Sequence, residues 1–192
     1  MSNVWLKQYE DKRIAVVVAH PDDEVLWFGG LLVLAYYNTR VKIDVICCSI
    51  PEIEPERAMK FQESCIQLGC SYKLLPFVEV RGGHLVGLEH LYLSRYDVVF
   101  THNAKGEYGH KHHIDVHEAV MRKFDGPVFV SGYGIDEGTP LIFDWADKKT
   151  AIMNYDHMSK VTGGPKYTEL LFRWGSKFDL KTETYKQIRG TE

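Results

Sequence analysis

Three carboxylates stand in a row in His20-Pro21-Asp22-Asp23-Glu24, and they repel one another unless something positive sits among them. A divalent metal is the simplest remedy. Neutral imidazole and carboxylate oxygen together suit zinc, whose hydrolytic sites commonly use three protein ligands and leave a fourth position for water. A helix amino terminus would also accommodate the acids, which could cap free N–H groups and complement the dipole. That plainer reading leaves His20 without a purpose. A second segment, Gly106 to His117 (GEYGHKHHIDVH), holds four of the nine histidines within eight positions, and His102 lies just upstream. Spacing permits two metal-binding pairs: His110 with His113 across a loop-to-helix junction, or His113 with His117 at i and i+4 on one helix face. It does not choose between them.

Both segments follow apolar runs that read as buried strands. Ile14 to Ala19 is a β-branched run suited to a strand covered on both faces, and Glu24 to Tyr37 then reads as a helix. Val41 to Ser49 is a second strand. Pro55 to Leu68 is a helix with Pro near its start and Gly69 just past its end, and Lys73 to Val78 is a third strand. Asp97 to Thr101 is a further strand, His112 to Phe124 a helix, and Pro127 to Ser131 another strand. Leu141 to Trp145 is expected as a short strand and Asp147 to Lys160 as a helix. The remainder, with Gly163-Gly164-Pro165 and Trp174-Gly175, reads as loops and an edge hairpin. Strands alternating with helices predict an α/β fold: a Rossmann-like, mostly parallel sheet flanked by helices. Ligands bind such sheets beyond the carboxyl ends of the strands, where the two histidine segments would meet.

Residues 1–192 carry no repeat, low-complexity tract or linker, so one domain is expected. With 45% hydrophobic and 26% charged residues the composition is that of a globular protein. A formal net charge of -3, with scattered basic residues, excludes the positive stripe that nucleic-acid binding needs. The charged amino terminus MSNVWLKQYEDK is unlike a signal peptide, and no run reaches the roughly 20 apolar residues that span a bilayer. A cytoplasmic protein with no membrane partner is expected. Cys47, Cys48, Cys65 and Cys70 include an adjacent pair and no CxxC, which suits reduced, partly buried thiols better than a disulfide framework.

His20-Pro21-Asp22-Asp23-Glu24, Thr101-His102-Asn103 and Gly106-Glu107-Tyr108-Gly109-His110-x-x-His113 together resemble the LmbE-like, or PIG-L, family of zinc-dependent de-N-acetylases. The resemblance runs in outline from Arg13 to about Lys160, through the Arg57 helix and the Lys148 to Tyr155 stretch. It implies one zinc per chain held by His20, Asp23 and His113, with Asp22 as general base and His110 as general acid. Each role has a physical basis. Zinc lowers the pKa of bound water toward ~7 and polarises an amide carbonyl. A carboxylate beside a ligand can take a proton from the attacking water, and a protonated imidazole can stabilise an oxyanion and protonate the leaving amine. Arg57, Asn103, Glu107 and Tyr108 are candidate substrate contacts that would line the pocket. Trp27 and Phe28 read as helix packing rather than a sugar platform.

The sequence departs from the family pattern in two places. His112 stands where the family has Asp before the final ligand, with Lys111 in place of Pro, which removes the carboxylate that would orient His110. Lys60 replaces a Glu expected three residues after Arg57, where Glu63 is a candidate substitute from the same helix. The leading expectation is an amidohydrolase acting on an N-acetylglucosamine-like amino sugar or its conjugate, with self-association left open. A non-catalytic metal- or sugar-binding protein of the same fold is the alternative, although it would have no need of Asp22 and His110. Nucleotide binding is disfavoured: no GxGxxG follows the first strand, and HPDDE places negative charge where a phosphate would sit.

Overall fold

The computed structural model describes residues 4–38, 40–49, 55–80, 83–135, 138–141, 144–153, 155 and 183–190. After a short helix α1 (Val4–Lys7), strand β1 (Arg13–Val18) leads into α2 (Asp23–Tyr36), β2 (Lys42–Ser49), α3 (Pro55–Gln67) and β3 (Ser71–Glu79). Then come β4 (Leu85–Val86), a 3₁₀ turn at Leu88–His90, β5 (Val98–Thr101), the short α4 (Gly106–Gly109) and α5 (Lys111–Lys123). The chain continues through β6 (Val128–Ser131), β7 (Thr139–Leu141), α6 (Trp145–Met153) and β8 (Glu183–Arg189).

Alternation in β1 explains the layering. Successive side chains of a strand point to opposite faces, and here both faces are apolar. Ile14, Val16 and Val18 pack into one cluster with Val25, Phe28, Leu31 and Leu32 of α2 and Phe61 of α3. Ala15, Val17 and Ala19 pack into another with Val116, Ala119 and Val120 of α5. The sheet is therefore the middle of three layers, and each fully buried valine contributes about 1.5–3 kcal/mol. Helix α3 stops where expected. Gly69 takes φ 64, and Cys70 N bonds Cys65 O at 2.9 Å while Gly69 N bonds Ile66 O at 3.0 Å, the paired bonds of a left-handed glycine terminus.

The eight strands run in the order β4-β3-β2-β1-β5-β6-β8-β7. The central five are parallel, and β4, β7 and β8 are antiparallel additions. From β1 the chain winds outward to β3, then returns to β5 on the other side of β1. The carboxyl ends of β1 and β5 thus flank the crevice where winding direction reverses, the usual ligand site of such sheets.

Two expectations change toward the carboxyl end. The strand expected at Leu141–Trp145 is Thr139–Leu141, and Trp145 opens α6 instead. The physical cause is Asp144, whose Oδ1 accepts from Ala146 N at 2.8 Å and caps that helix. In place of an edge hairpin, β8 inserts between β6 and β7. The helix expected through Lys160 is observed to Met153; Asp156–Lys160 and the loop readings at Gly163-Gly164-Pro165 and Trp174-Gly175 lie outside the described residues. Among the described residues, no helix is long and apolar enough to cross a membrane.

Candidate metal centre and active site

The ends of β1 and β5 are tied together before any site residue is considered. Thr101 Oγ1 donates to Val17 O at 3.0 Å, and Ala19 N donates to His102 Nε2 at 3.0 Å. Beyond Ala19 the chain turns sharply through Asp22, whose φ of 110 is left-handed, and α2 begins at Asp23. Asp23 Oδ2 accepts from His20 N at 2.8 Å. One helical turn on, Trp27 Nε1 donates to Asp23 Oδ1 at 3.0 Å. The Asp23 carboxylate is thus clamped at both oxygens. On the opposite side, Gly106 (φ 63), Glu107 (φ 57) and Gly109 (φ 93) turn the chain back on itself. A Cβ at Gly106 would meet Ile114 Cγ1 at 2.9 Å, so both backbone and space require glycine.

That turn buries Glu107 beneath two imidazoles. Glu107 Oε2 lies 2.7 Å from His113 Nδ1 and 3.0 Å from His102 Nδ1, and Oε1 accepts from Asn103 N at 3.1 Å. A carboxylate fixes the proton of a neighbouring imidazole on the facing nitrogen. His113 Nε2 is thus the position left to offer a lone pair once the ring is neutral, and among the described residues that buried atom has no hydrogen-bond partner. It lies 3.3 Å from Asp23 Oδ1, and His20 Nδ1 lies 3.3 Å from Asp23 Oδ2. Tetrahedral zinc with bonds of roughly 2.0–2.1 Å places its ligand atoms roughly 3.3–3.4 Å apart, so both spacings suit one ion.

Three groupings of donor atoms capable of holding a metal occur among the described residues: His20-His110-His113, Asp23-His102-His113 and His20-Glu79-His112. The expected ligands His20, Asp23 and His113 are divided between the first two, with His113 common to both. His102 is removed from the second by chemistry. Its Nε2 already accepts the Ala19 amide, so its ring serves as a prop, stacked on His113 with centroids 3.8 Å apart. The pairing of His113 with His117 is not formed among the described residues, because His117 belongs to none of the groupings; its Nδ1 is bonded to His102 O at 2.9 Å. His110 stands beside His113, ring centroids 4.6 Å apart.

The electrostatics favour positive charge at this point. Burial alone would discharge His113, yet Asp23 and Glu107 lift its pKa to about 10. Against the upward push of burial, His113 beside it holds Asp23 well below the usual carboxylate range. His102 and His113 similarly hold Glu107 down at about 2. Among the described residues, His110 has no carboxylate in hydrogen-bond contact. Burial, then the neighbouring His113 and His20, push it down to about 3, and its Nδ1 is buried without a hydrogen-bond partner. Asp22 sits between these extremes: burial raises it to about 6, although Arg57 pulls the other way. Burial also raises Glu24, to about 8; its carboxyl receives bonds from Asp22 N at 2.9 Å and from the Tyr155 hydroxyl.

The remaining candidates take up varied places. Arg57 reaches across from α3 to Asp22 Oδ2 at 2.6 Å and Pro21 O at 2.8 Å, so it braces the HPDDE turn. Asn103 is buried, with Nδ2 donating to Ser131 O and Tyr133 O and Oδ1 accepting from Lys105 N. Asn103 and Glu107 therefore spend their polar atoms inside the protein rather than at a substrate surface. Tyr108, 45% exposed, lies over His113 and His110 with centroids at 5.6 and 5.7 Å. Trp27 and Phe28 are buried in the core as expected, but the bond from Trp27 to Asp23 was not anticipated; its i, i+4 spacing on α2 was the available signal. Lys60 pairs with Glu63 at 2.6 Å. His112 turns toward His20, its Nδ1 3.0 Å from His20 Nε2. Asp115 bonds His84 Nδ1 and Leu85 N.

No family model matches the sequence. Among solved structures, the chain is similar to N,N'-diacetylchitobiose deacetylase from Pyrococcus horikoshii, with a TM-score of 0.67 and 14% identity over 99% of this chain and 88% of that one. A deacetylase of the teicoplanin biosynthesis pathway matches with a TM-score of 0.58 and 14% identity over 92% of this chain and 98% of the other. The fold is that of the LmbE-like deacetylases. It is not confined to one reaction. The 4-carboxy-2-hydroxymuconate hydratase from Pseudomonas putida also matches, with a TM-score of 0.61 and 18% identity over 94% of this chain and 98% of that one. Function on the LmbE-like fold must accordingly be argued from the site.

Proposed function

We propose that residues 1–192 form one zinc-dependent N-deacetylase domain, which hydrolyses the acetamido group of an N-acetylglucosamine-like amino sugar or its conjugate. The observation that carries this reading is the Asp23 carboxylate, clamped within 3.3 Å of both His20 Nδ1 and His113 Nε2, beside a buried carboxyl, Asp22, poised near neutrality. His20, Asp23 and His113 would hold the ion. Bound there, zinc would supply a polarised carbonyl and an acidified water.

The chain's own residues do the rest. Asp22, braced by Arg57, accepts a proton from the attacking water; a carboxyl at about 6 is matched to that task at neutral pH. His110 begins neutral and takes up a proton from solvent as negative charge grows on the carbonyl oxygen, then passes it to the departing nitrogen, while Asp22 returns the proton it took from water to solvent. The products are acetate and the free amine. Tyr108, half exposed above the histidines, is placed to contact the sugar at the mouth. A binding protein without turnover would have no use for Asp22 in this state.

The test is incubation of the zinc-loaded protein with N-acetylhexosamines, their oligomers, nucleotide conjugates and glycosides, following acetate and free amine together. Release of both in equal amounts is expected from at least one. Stoichiometric zinc with no acetate from any would refute the reading. His113→Ala is expected to lose the zinc and His117→Ala to retain it, as elemental analysis will report.

A further inference from the structure

The third grouping of donors, His20-Glu79-His112, is unused by the chemistry above, and two of its members come from places where the sequence offered no family role. Glu79 is the last residue of β3, and His112 stands in the first turn of α5 where the resembled family has a carboxylate. His20 Nε2 is 3.0 Å from His112 Nδ1 and 3.6 Å from Glu79 Oε1, and His112 Nδ1 is 4.0 Å from Glu79 Oε2. These separations bracket the roughly 3.3–3.4 Å expected between ligands of a tetrahedral zinc ion. The triangle is also held in place. Ser49 Oγ donates to Glu79 Oε1 at 2.5 Å, and Ser49 is itself held against β1 by its backbone N–H, which donates to Ala19 O at 2.9 Å. The His112 and Glu79 side chains are 12% and 28% exposed, so an ion could enter from the rim.

We propose that His20 Nε2, Glu79 and His112 form a second site for a divalent transition metal, separate from the His20-Asp23-His113 centre and sharing one imidazole with it. The two nitrogens of His20 face different partners: Nδ1 lies toward Asp23 and Nε2 toward His112 and Glu79. The second ion replaces the proton between His20 and His112, which leaves to solvent, and the imidazole then bridges the two ions. Two nitrogens and one carboxylate oxygen suit zinc and its neighbours better than calcium or magnesium. Because the shared imidazole must lose a proton and carry two cations, the second ion binds more weakly than the first. Filling it leaves His20 a poorer donor to the first ion, because one imidazole then serves two cations, so excess metal inhibits the enzyme.

This inference rests on the proposed zinc centre, and calorimetric titration of the metal-free protein with zinc alone separates the two. The parent is expected to bind two equivalents, one tight and one weaker. His112→Ala and Glu79→Ala should each abolish the weaker event and keep the tight one, so stoichiometry falls from two to one. Glu79 sits at a strand end, which makes its variant the safeguard should His112→Ala fail to fold. A tight event with no second event in the parent would overturn the second site alone, as would a second event that persists in both variants. Loss of the tight event from the parent would strike the zinc centre itself. Inhibition of turnover by excess zinc, relieved in both variants relative to each variant's own maximum, is the accompanying expectation.

Discussion

Replacing Glu107 by Gln tests how the metal centre is built, because the change preserves shape and removes only charge and one acceptor. The carboxylate serves three donors: Nδ1 of His102 and of His113 at Oε2, and Asn103 N at Oε1. An amide cannot serve all three. With its oxygen toward the imidazoles, its NH2 faces the Asn103 N–H; flipped, the NH2 faces both rings. The milder arrangement leaves one buried backbone N–H unsatisfied, which costs about 1–3 kcal/mol. In a chain of this size that lowers the melting temperature by roughly 2–4 °C per kcal/mol, and the loss should be visible in the presence of a chelator. The second consequence concerns the metal. An outer carboxylate behind a metal-binding imidazole is worth roughly 10–100-fold in affinity, or about 1.4–2.7 kcal/mol. Zinc affinity measured by competition with a chelating dye should weaken by that factor. Unchanged affinity in a folded Glu107→Gln protein would show that Glu107 does not set the His113 tautomer, and the assignment of Nε2 as ligand would fall with it.

Asp22→Asn should retain stoichiometric zinc and lose about 10²–10⁴-fold in turnover, the usual worth of a general base; acetate release within a few-fold of the parent would show that Asp22 is not that base. Lys148→Met should destabilise by about 3–5 kcal/mol, because Lys148 Nζ lies 2.6 Å from Glu183 Oε1 in the core and its removal leaves a buried carboxylate without that cation; chemical denaturation measures this, and a loss below about 1 kcal/mol would contradict it. The four cysteines are all free and buried, and burial pushes Cys70 up to about 12 and the other three upward as well. A raised pKa means less thiolate at a given pH, so at pH 8 a thiol-disulfide reagent should label almost none of them until denaturant is added. Rapid labelling of the native protein would refute their burial.

The sequence by itself determined the alternation of strands and helices, and with it the parallel sheet. It also placed two histidine-bearing segments after strands whose ends had to lie at one edge. These are local properties: β-branched runs, a Gly after α3, three acids following a strand. Which histidine does what was decided only by tertiary structure, because that depends on partners distant along the chain. His102, His110, His112, His113 and His117 are equivalent as letters. They become a prop, a ring with no hydrogen bond at Nδ1 among the described residues, a neighbour of His20, a buried nitrogen facing Asp23 and a bond to a backbone carbonyl because Ala19, Glu107, His20, Asp23 and the His102 carbonyl respectively are, or are not, at hand. Glu79 and Trp27 carried no signal beyond a strand end and a helix spacing, yet both reach the site, Glu79 beside His20 and His112 and Trp27 at Asp23. The same holds for β8. Its alternating residues Glu183 and Tyr185 are buried against α2, yet nothing in a seven-residue polar stretch indicates that it will insert between β6 and β7. A strand of mixed composition acquires its place from the hydrogen bonds its neighbours leave open, and those exist only once the sheet has formed.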